Sequence, residues 1–118
     1  MVVIGYVRVN TLGQELELQV EKLNEYGCEK IFTEKQGGAK SEREELARAL
    51  DSLREGDKLV IYKRDRLSRS TFELHKIEKE LQERGIGLVF IKEQIDFTTT
   101  AGKLMLTMPG VLQNLKGT

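Results

Sequence analysis

Two stretches of the chain concentrate side chains suited to holding a phosphate. The first is Tyr6-Val7-Arg8-Val9-Asn10-Thr11-Leu12-Gly13-Gln14, with Gln19 a little further on. Arg8 and Asn10 stand two apart at the end of an apolar strand pattern and so share a face. The helical pattern that follows Thr11 opens with free backbone N–H groups and the positive end of a dipole, where an anion can sit. The second stretch is Lys63-Arg64-Asp65-Arg66-Leu67-Ser68-Arg69. Arg66 and Arg69 are three apart and would point the same way on a helical turn. Two guanidiniums with Lys63 beside them can clamp the oxygens of one phosphodiester. Taken singly, each stretch also has an ordinary explanation. The first can be a capped helix after a core strand, and the second a solvated basic loop paired with Asp65 or Glu73.

The elements that must position these residues alternate between strand and helix. Val2 to Val9 reads as a strand, and Thr11 with Gln14 forms a capping-box pattern ahead of Leu12, Leu16, Val20 and Leu23 at helical spacing. Gly27 is the expected stop. Lys30 to Glu34 reads as a short strand and Lys35 to Lys40 as a glycine-containing loop. Ser41 with Glu44 opens a second helix along Leu46, Ala49, Leu50 and Leu53, expected to end at Gly56. Lys58 to Tyr62 is a strand. Ser70 with Glu73 opens a third helix through Leu74, Ile77 and Leu81, stopped at Gly85. Leu88 to Ile91 is a further strand, Ile95 to Phe97 a short edge strand, and Lys103 to Met108 a last helical segment. This alternation predicts an α/β fold: a three-layer, mostly parallel twisted sheet of about four to five strands flanked by helices. Ligands of such sheets lie beyond the carboxyl ends of the strands, where both phosphate-binding stretches fall.

The chain has 118 residues, 39% of them hydrophobic and 32% charged, which suits one globular domain. It holds no apolar run near the ~20 residues of a membrane span, and its start reads as a strand rather than a signal peptide. With Cys28 as the only cysteine no intrachain disulfide can form, and a cytoplasmic location is expected. The 19 basic and 19 acidic side chains balance to zero. Phosphate neutralisation supplies much of a DNA binder's affinity, so DNA binding by this chain alone should be weak.

Taken together, the motifs are far more specific than either stretch. Tyr6-x-Arg8-Val9-x-Thr11-x-x-Gln14, Glu34-Lys35-x-x-Gly38, Arg54-Glu55-Gly56-Asp57 and Asp65-Arg66-Leu67-x-Arg69-Ser70 occur in this order. The chain thereby resembles the catalytic domain of the serine site-specific recombinases, the resolvase/invertase family, from Val3 to about Leu112. The stretch Ile95 to Met108 resembles the run into that family's long last helix. The resemblance implies DNA strand exchange without a cofactor or metal: a serine attacks the phosphodiester, a 5′-phosphoserine link forms, and arginines stabilise the charge that develops on the phosphate oxygens. By the same resemblance Arg8 is the strand-end arginine near the nucleophile, and Gln14 and Gln19 are the active-site glutamines. Arg43 is the arginine after the mobile loop, and Arg66 and Arg69 are the central arginine pair. Asp65 is the aspartate that transfers a proton or orients Arg66. The family assembles as homodimers or tetramers. His75 belongs to none of these motifs and is expected at the surface.

Several positions depart from the family's pattern. Asn10 stands where the family keeps its nucleophilic serine. A carboxamide is a very poor nucleophile, so covalent cleavage should fail, although its NH₂ can still donate to a phosphate. Thr11 has a hydroxyl but should face away and cap the helix. Gly37 replaces a usual serine, Glu44 a usual proline, and Arg64 a usual leucine. Pro109 falls inside the segment that forms the family's dimer helix and should kink or stop it, at about 3 kcal/mol or more. Gln113 to Thr118 lack the family's glutamate–arginine pair, and no helix-turn-helix pattern follows. The expectation is therefore a resolvase-like catalytic domain over residues 1–118, its last helix shortened or kinked at Pro109. A non-catalytic module that pairs with recombinase subunits through Leu104, Met105 and Met108 is the alternative. A nucleotide binder of flavodoxin type is disfavoured, because no Gly-x-Gly-x-x-Gly or Walker loop is present.

Overall fold

The computed structural model describes residues 1–9, 14–35 and 44–98. Asn10, Thr11, Gly37, Gly38, Ser41, Arg43, Leu104, Met105, Met108 and Pro109 lie outside the described residues, as does the side chain of Gln14. The elements run β1 (Val3–Val9), α1 (Gln14–Tyr26), β2 (Lys30–Lys35), α2 (Glu44–Ser52), β3 (Lys58–Ile61), α3 (Arg64–Leu67), α4 (Thr71–Glu83), β4 (Gly87–Phe90) and β5 (Ile95–Asp96). They form a five-stranded sheet in the order β2-β1-β3-β4-β5. β1 pairs in parallel with both β2 and β3, β3 pairs in parallel with β4, and β5 closes the edge antiparallel to β4. The expected α/β architecture is therefore present. In this order the chain steps from β1 out to β2 and then crosses back past β1 to β3, so β1 and β3 flank the switch point where ligands of such sheets bind.

Alternation along β1 divides the core into two layers. Ile4 and Tyr6 face α2, α3 and α4 and pack with Phe32, Leu46, Leu59, Ile61, Leu67, Leu74 and Phe90. Val7 and Val9 face α1 and pack with Leu23, Val60 and Val89. Gly5 points to the α1 side, where a Cβ would come within 2.8 Å of Leu23 Cδ1 and 3.2 Å of Cys28 Sγ. Its missing side chain is what lets α1 lie close on β1. Gly27 ends α1 with φ of 109°, a left-handed stop that other residues adopt at a cost, and Gly85 follows α4 as expected.

The end of α2 differs from the sequence reading. The helix stops at Ser52, well before Gly56. The Asp57 carboxylate accepts the N–H groups of Val2 (3.0 Å) and Arg54 (2.9 Å), and those two backbone bonds hold its pKa below the ordinary range. A carboxylate that captures the Arg54 N–H offers the chain a turn in place of another helical step. Arg84, the C-cap of α4, donates to the carbonyls of Leu50 and Leu53, both at 2.9 Å, and so ties the end of α2 to α4.

Among the described residues, no helix is long and apolar enough to cross a membrane.

Candidate phosphate-binding site

Three elements meet at the carboxyl end of β1. Beyond β3 the chain makes the single-turn helix α3, which carries Arg66. The Lys63 side chain does not cap that turn; Glu93, beyond β4, accepts the Arg64 N–H at 3.0 Å instead. A carboxylate on the first free N–H of a helix both satisfies it and complements its dipole. Lys92 is tied in by its N–H donating to the Tyr62 carbonyl at 2.8 Å. Gln19, on α1, is 1% exposed and donates from Nε2 to the Arg8 carbonyl at 3.4 Å. Glu15, one turn earlier, forms an ion pair through Oε1 with Arg66 Nη2.

These residues line a recess of about 340 Å³ bounded by Glu15, Leu18, Gln19, Tyr62, Lys63, Arg66 and Lys92. Arg66, Lys63 and Lys92 make its charge positive, with Glu15 the acidic member. Arg8 Nε, Arg66 Nε and Gln19 Oε1 are buried without a hydrogen-bond partner among the described residues. A buried polar group without a partner costs about 1–3 kcal/mol, and such groups call for a water, an ion or a ligand to complete the bonding. The arrangement suits an anion whose oxygens accept from several cationic donors at once.

The recess brings together three residues expected from the sequence, Gln19, Lys63 and Arg66, next to the backbone of Arg8. Asp65 and Arg69 are exposed and do not line it. Arg69 does not share a helical turn with Arg66, because α3 ends at Leu67 and Ser68 is fully extended (φ −164°, ψ 144°). Ser70 then starts α4 as its cap, accepting the Glu73 N–H at 3.2 Å. Asn10, Arg43 and the Gln14 side chain lie outside the described residues. Glu15, Tyr62, Lys92 and Glu93 were not expected. Glu15 stands at helical spacing ahead of Gln19, and Lys92 and Glu93 follow a parallel strand, which is where the topology places ligand contacts. Glu34 of the Glu34-Lys35-x-x-Gly38 motif has a structural part: it is buried, accepts from the Tyr6 hydroxyl at 2.5 Å and from the Glu45 N–H at 3.1 Å, and so joins β1, β2 and α2. His75, expected at the surface, is half-buried.

The family described as Resolvase, N terminal domain matches residues 3–117. The chain is 39% identical over 114 residues to the Tn917 transposon resolvase of Enterococcus faecalis, a match covering 97% of this chain and 62% of that protein. It is 43% identical over 104 residues to the Tn552 DNA-invertase BinR of Staphylococcus aureus, covering 86% of this chain and 54% of that protein. It is 41% identical over 113 residues to the serine recombinase gin of Escherichia phage Mu, covering 96% and 58%. Thus the chain spans between half and two thirds of the length of these relatives. Among solved structures, the N-terminal catalytic domain of TP901-1 integrase superposes with a TM-score of 0.78 at 26% identity, covering 98% of this chain and 96% of that one. A resolvase-family site-specific recombinase from Streptococcus pneumoniae shares the fold, with a TM-score of 0.75 at 19% identity over 97% of this chain and 86% of that one.

Proposed function

The chain belongs to the serine recombinase family through its resolvase N-terminal domain, and from that premise we propose that its recess holds a DNA phosphodiester in a site-specific recombinase catalytic domain. The observation that carries this reading is the convergence of Arg66, Lys63, Lys92 and Gln19 at the β1/β3 switch point, beside the strand that leads directly to position 10. Arg66 and the lysines supply positive charge where the transition state gathers negative charge. Arg8, Arg43, Arg69 and Asp65 complete the set when the chain acts in the cytoplasm; the family's homodimer or tetramer is disfavoured for this chain by Pro109. Asn10 has no ionisable hydroxyl, so the chain binds the phosphodiester without cutting it. With zero net charge its hold on DNA is weak and salt-sensitive.

Restoring the nucleophile tests this. Neither the unchanged chain nor Asn10→Ser alone should yield a covalent protein–DNA product on supercoiled DNA bearing a resolvase or invertase site, because Pro109 also weakens self-association and the balanced charge weakens DNA binding; a product from Asn10→Ser would show that Pro109 and the altered tail do not matter. A covalent product from the unchanged chain would overturn the assignment of position 10. A second reading, a non-cleaving module that pairs with active recombinase subunits, rests on Asn10 itself. It requires the chain to co-purify with a full-length family member and to lower that partner's recombination rate. A kink at Pro109 would weaken both this pairing and self-association.

A further inference from the structure

We propose that Glu15 is a built-in competitor for the phosphate: its carboxylate occupies the Arg66 guanidinium in the free chain and must be displaced when a phosphodiester enters. The inference rests on the phosphate reading of the recess and concerns how that site is kept closed. Glu15 and Arg66 come from α1 and α3, and both line the same recess. Their side chains are 37% and 18% exposed, so the arginine is held largely inside the fold while the carboxylate is the member free to swing out to water.

The pair is incomplete. Glu15 engages Nη2, and Arg66 Nε stays buried without a partner among the described residues. A guanidinium matches an oxyanion best through two parallel N–H donors. A carboxylate that uses one edge leaves an arginine able to gain by exchange. The same Glu15 Oε1 accepts from Gln19 Nε2 at 3.5 Å, and that Nε2 also reaches the Arg8 carbonyl. Releasing Glu15 therefore frees donor capacity on Gln19 as well as on Arg66. While Glu15 stays in place it puts a like charge on the path of an incoming phosphate, which raises the cost of binding. Lys63 and Lys92, on the same rim, supply the attraction that draws the phosphate in.

Equilibrium binding of a short duplex DNA at low salt, followed by fluorescence anisotropy, tests the inference. Glu15→Gln should bind about tenfold more tightly than the unchanged chain, because one opposing charge and one competing pair are removed together. Glu17→Gln, the same charge change at an exposed position on α1 outside the recess, should move affinity less than about twofold. In an Arg66→Ala background the gain from Glu15→Gln should vanish, and Arg66→Gln serves in its place if the alanine variant does not fold. Equal gains from Glu15→Gln and Glu17→Gln, or a gain that survives without Arg66, would overturn the proposal in favour of general electrostatics. No gain from Glu15→Gln while Arg66→Ala weakens binding would overturn it and leave the phosphate reading of the recess standing. Indifference of binding to Arg66 in every background would remove the phosphate reading, and the proposal with it.

Discussion

Glu78 makes the stability of the fold depend on pH in a direction that can be stated in advance. It sits on α4 at 1% exposure, and both carboxylate oxygens are buried without a hydrogen-bond partner among the described residues. Desolvation pushes its pKa from 4.5 up to about 8, against a smaller opposing attraction from the buried Arg64 on α3. In the unfolded chain the carboxyl loses its proton near its ordinary value, while the folded chain keeps it until the higher one. The folded state therefore binds more protons between the two values. Stability is full below pH 4.5, falls as pH rises through the interval, and levels off above pH 8. At about 1.4 kcal/mol per unit, the shift sets an upper bound of roughly 5 kcal/mol. Relaxation and water entry around the ion reduce this to about 2–3 kcal/mol. With a urea m-value of about 2 kcal/mol/M, the unfolding midpoint should drop by roughly 1–1.5 M between pH 5 and pH 8.5. Glu78→Gln keeps the shape and removes the titration, so its midpoint should stay nearly flat over the same range. A drop of the same size in Glu78→Gln would show that another group carries the dependence. A flat profile in the unchanged chain would refute the reasoning from burial.

Two further substitutions probe how the site is positioned. Gly5→Ala drives a Cβ against Leu23 and Cys28 and should cost about 1–3 kcal/mol, read as a lower thermal midpoint; an unchanged midpoint would mean that α1 can shift away freely. Glu93→Ala removes the acceptor from the Arg64 N–H and should cost about 1 kcal/mol, with weaker DNA binding because α3 no longer fixes Arg66. Lost stability with unaltered binding would limit Glu93 to a structural part.

Where the sequence was informative, one local signal decided the outcome. Ser70 three residues before Glu73, ahead of an apolar stripe, marks the start of α4, and the cap bond is present. The Val3–Val9 pattern gives β1 and both of its faces. Where it misled, a nearby polar side chain had captured a backbone N–H and turned the chain off the helical path. The carboxylate of Asp57 takes the Arg54 N–H and ends α2 early. Ser68, with its hydroxyl accepting the Ser70 N–H at 3.1 Å, leaves the helical path, so spacing alone could not tell that Arg69 parts from Arg66. Arg64 read as part of a solvated basic loop, yet it is 6% exposed. Glu15, Lys92 and Glu93 join the site through the strand order, which sets three separate segments side by side. No window of sequence contains them together.

Entry of phosphate at the β1/β3 switch point is tested by locating where the chain responds to DNA. Backbone and side-chain NMR signals should be followed while a short duplex is added at low salt. Shifts should centre on Gln19, Lys63, Arg66 and Lys92 and fade as salt is raised, with Asp57 and Gly87 at the opposite end of the sheet unmoved. Shifts centred on any other surface, with those four residues silent, would contradict it.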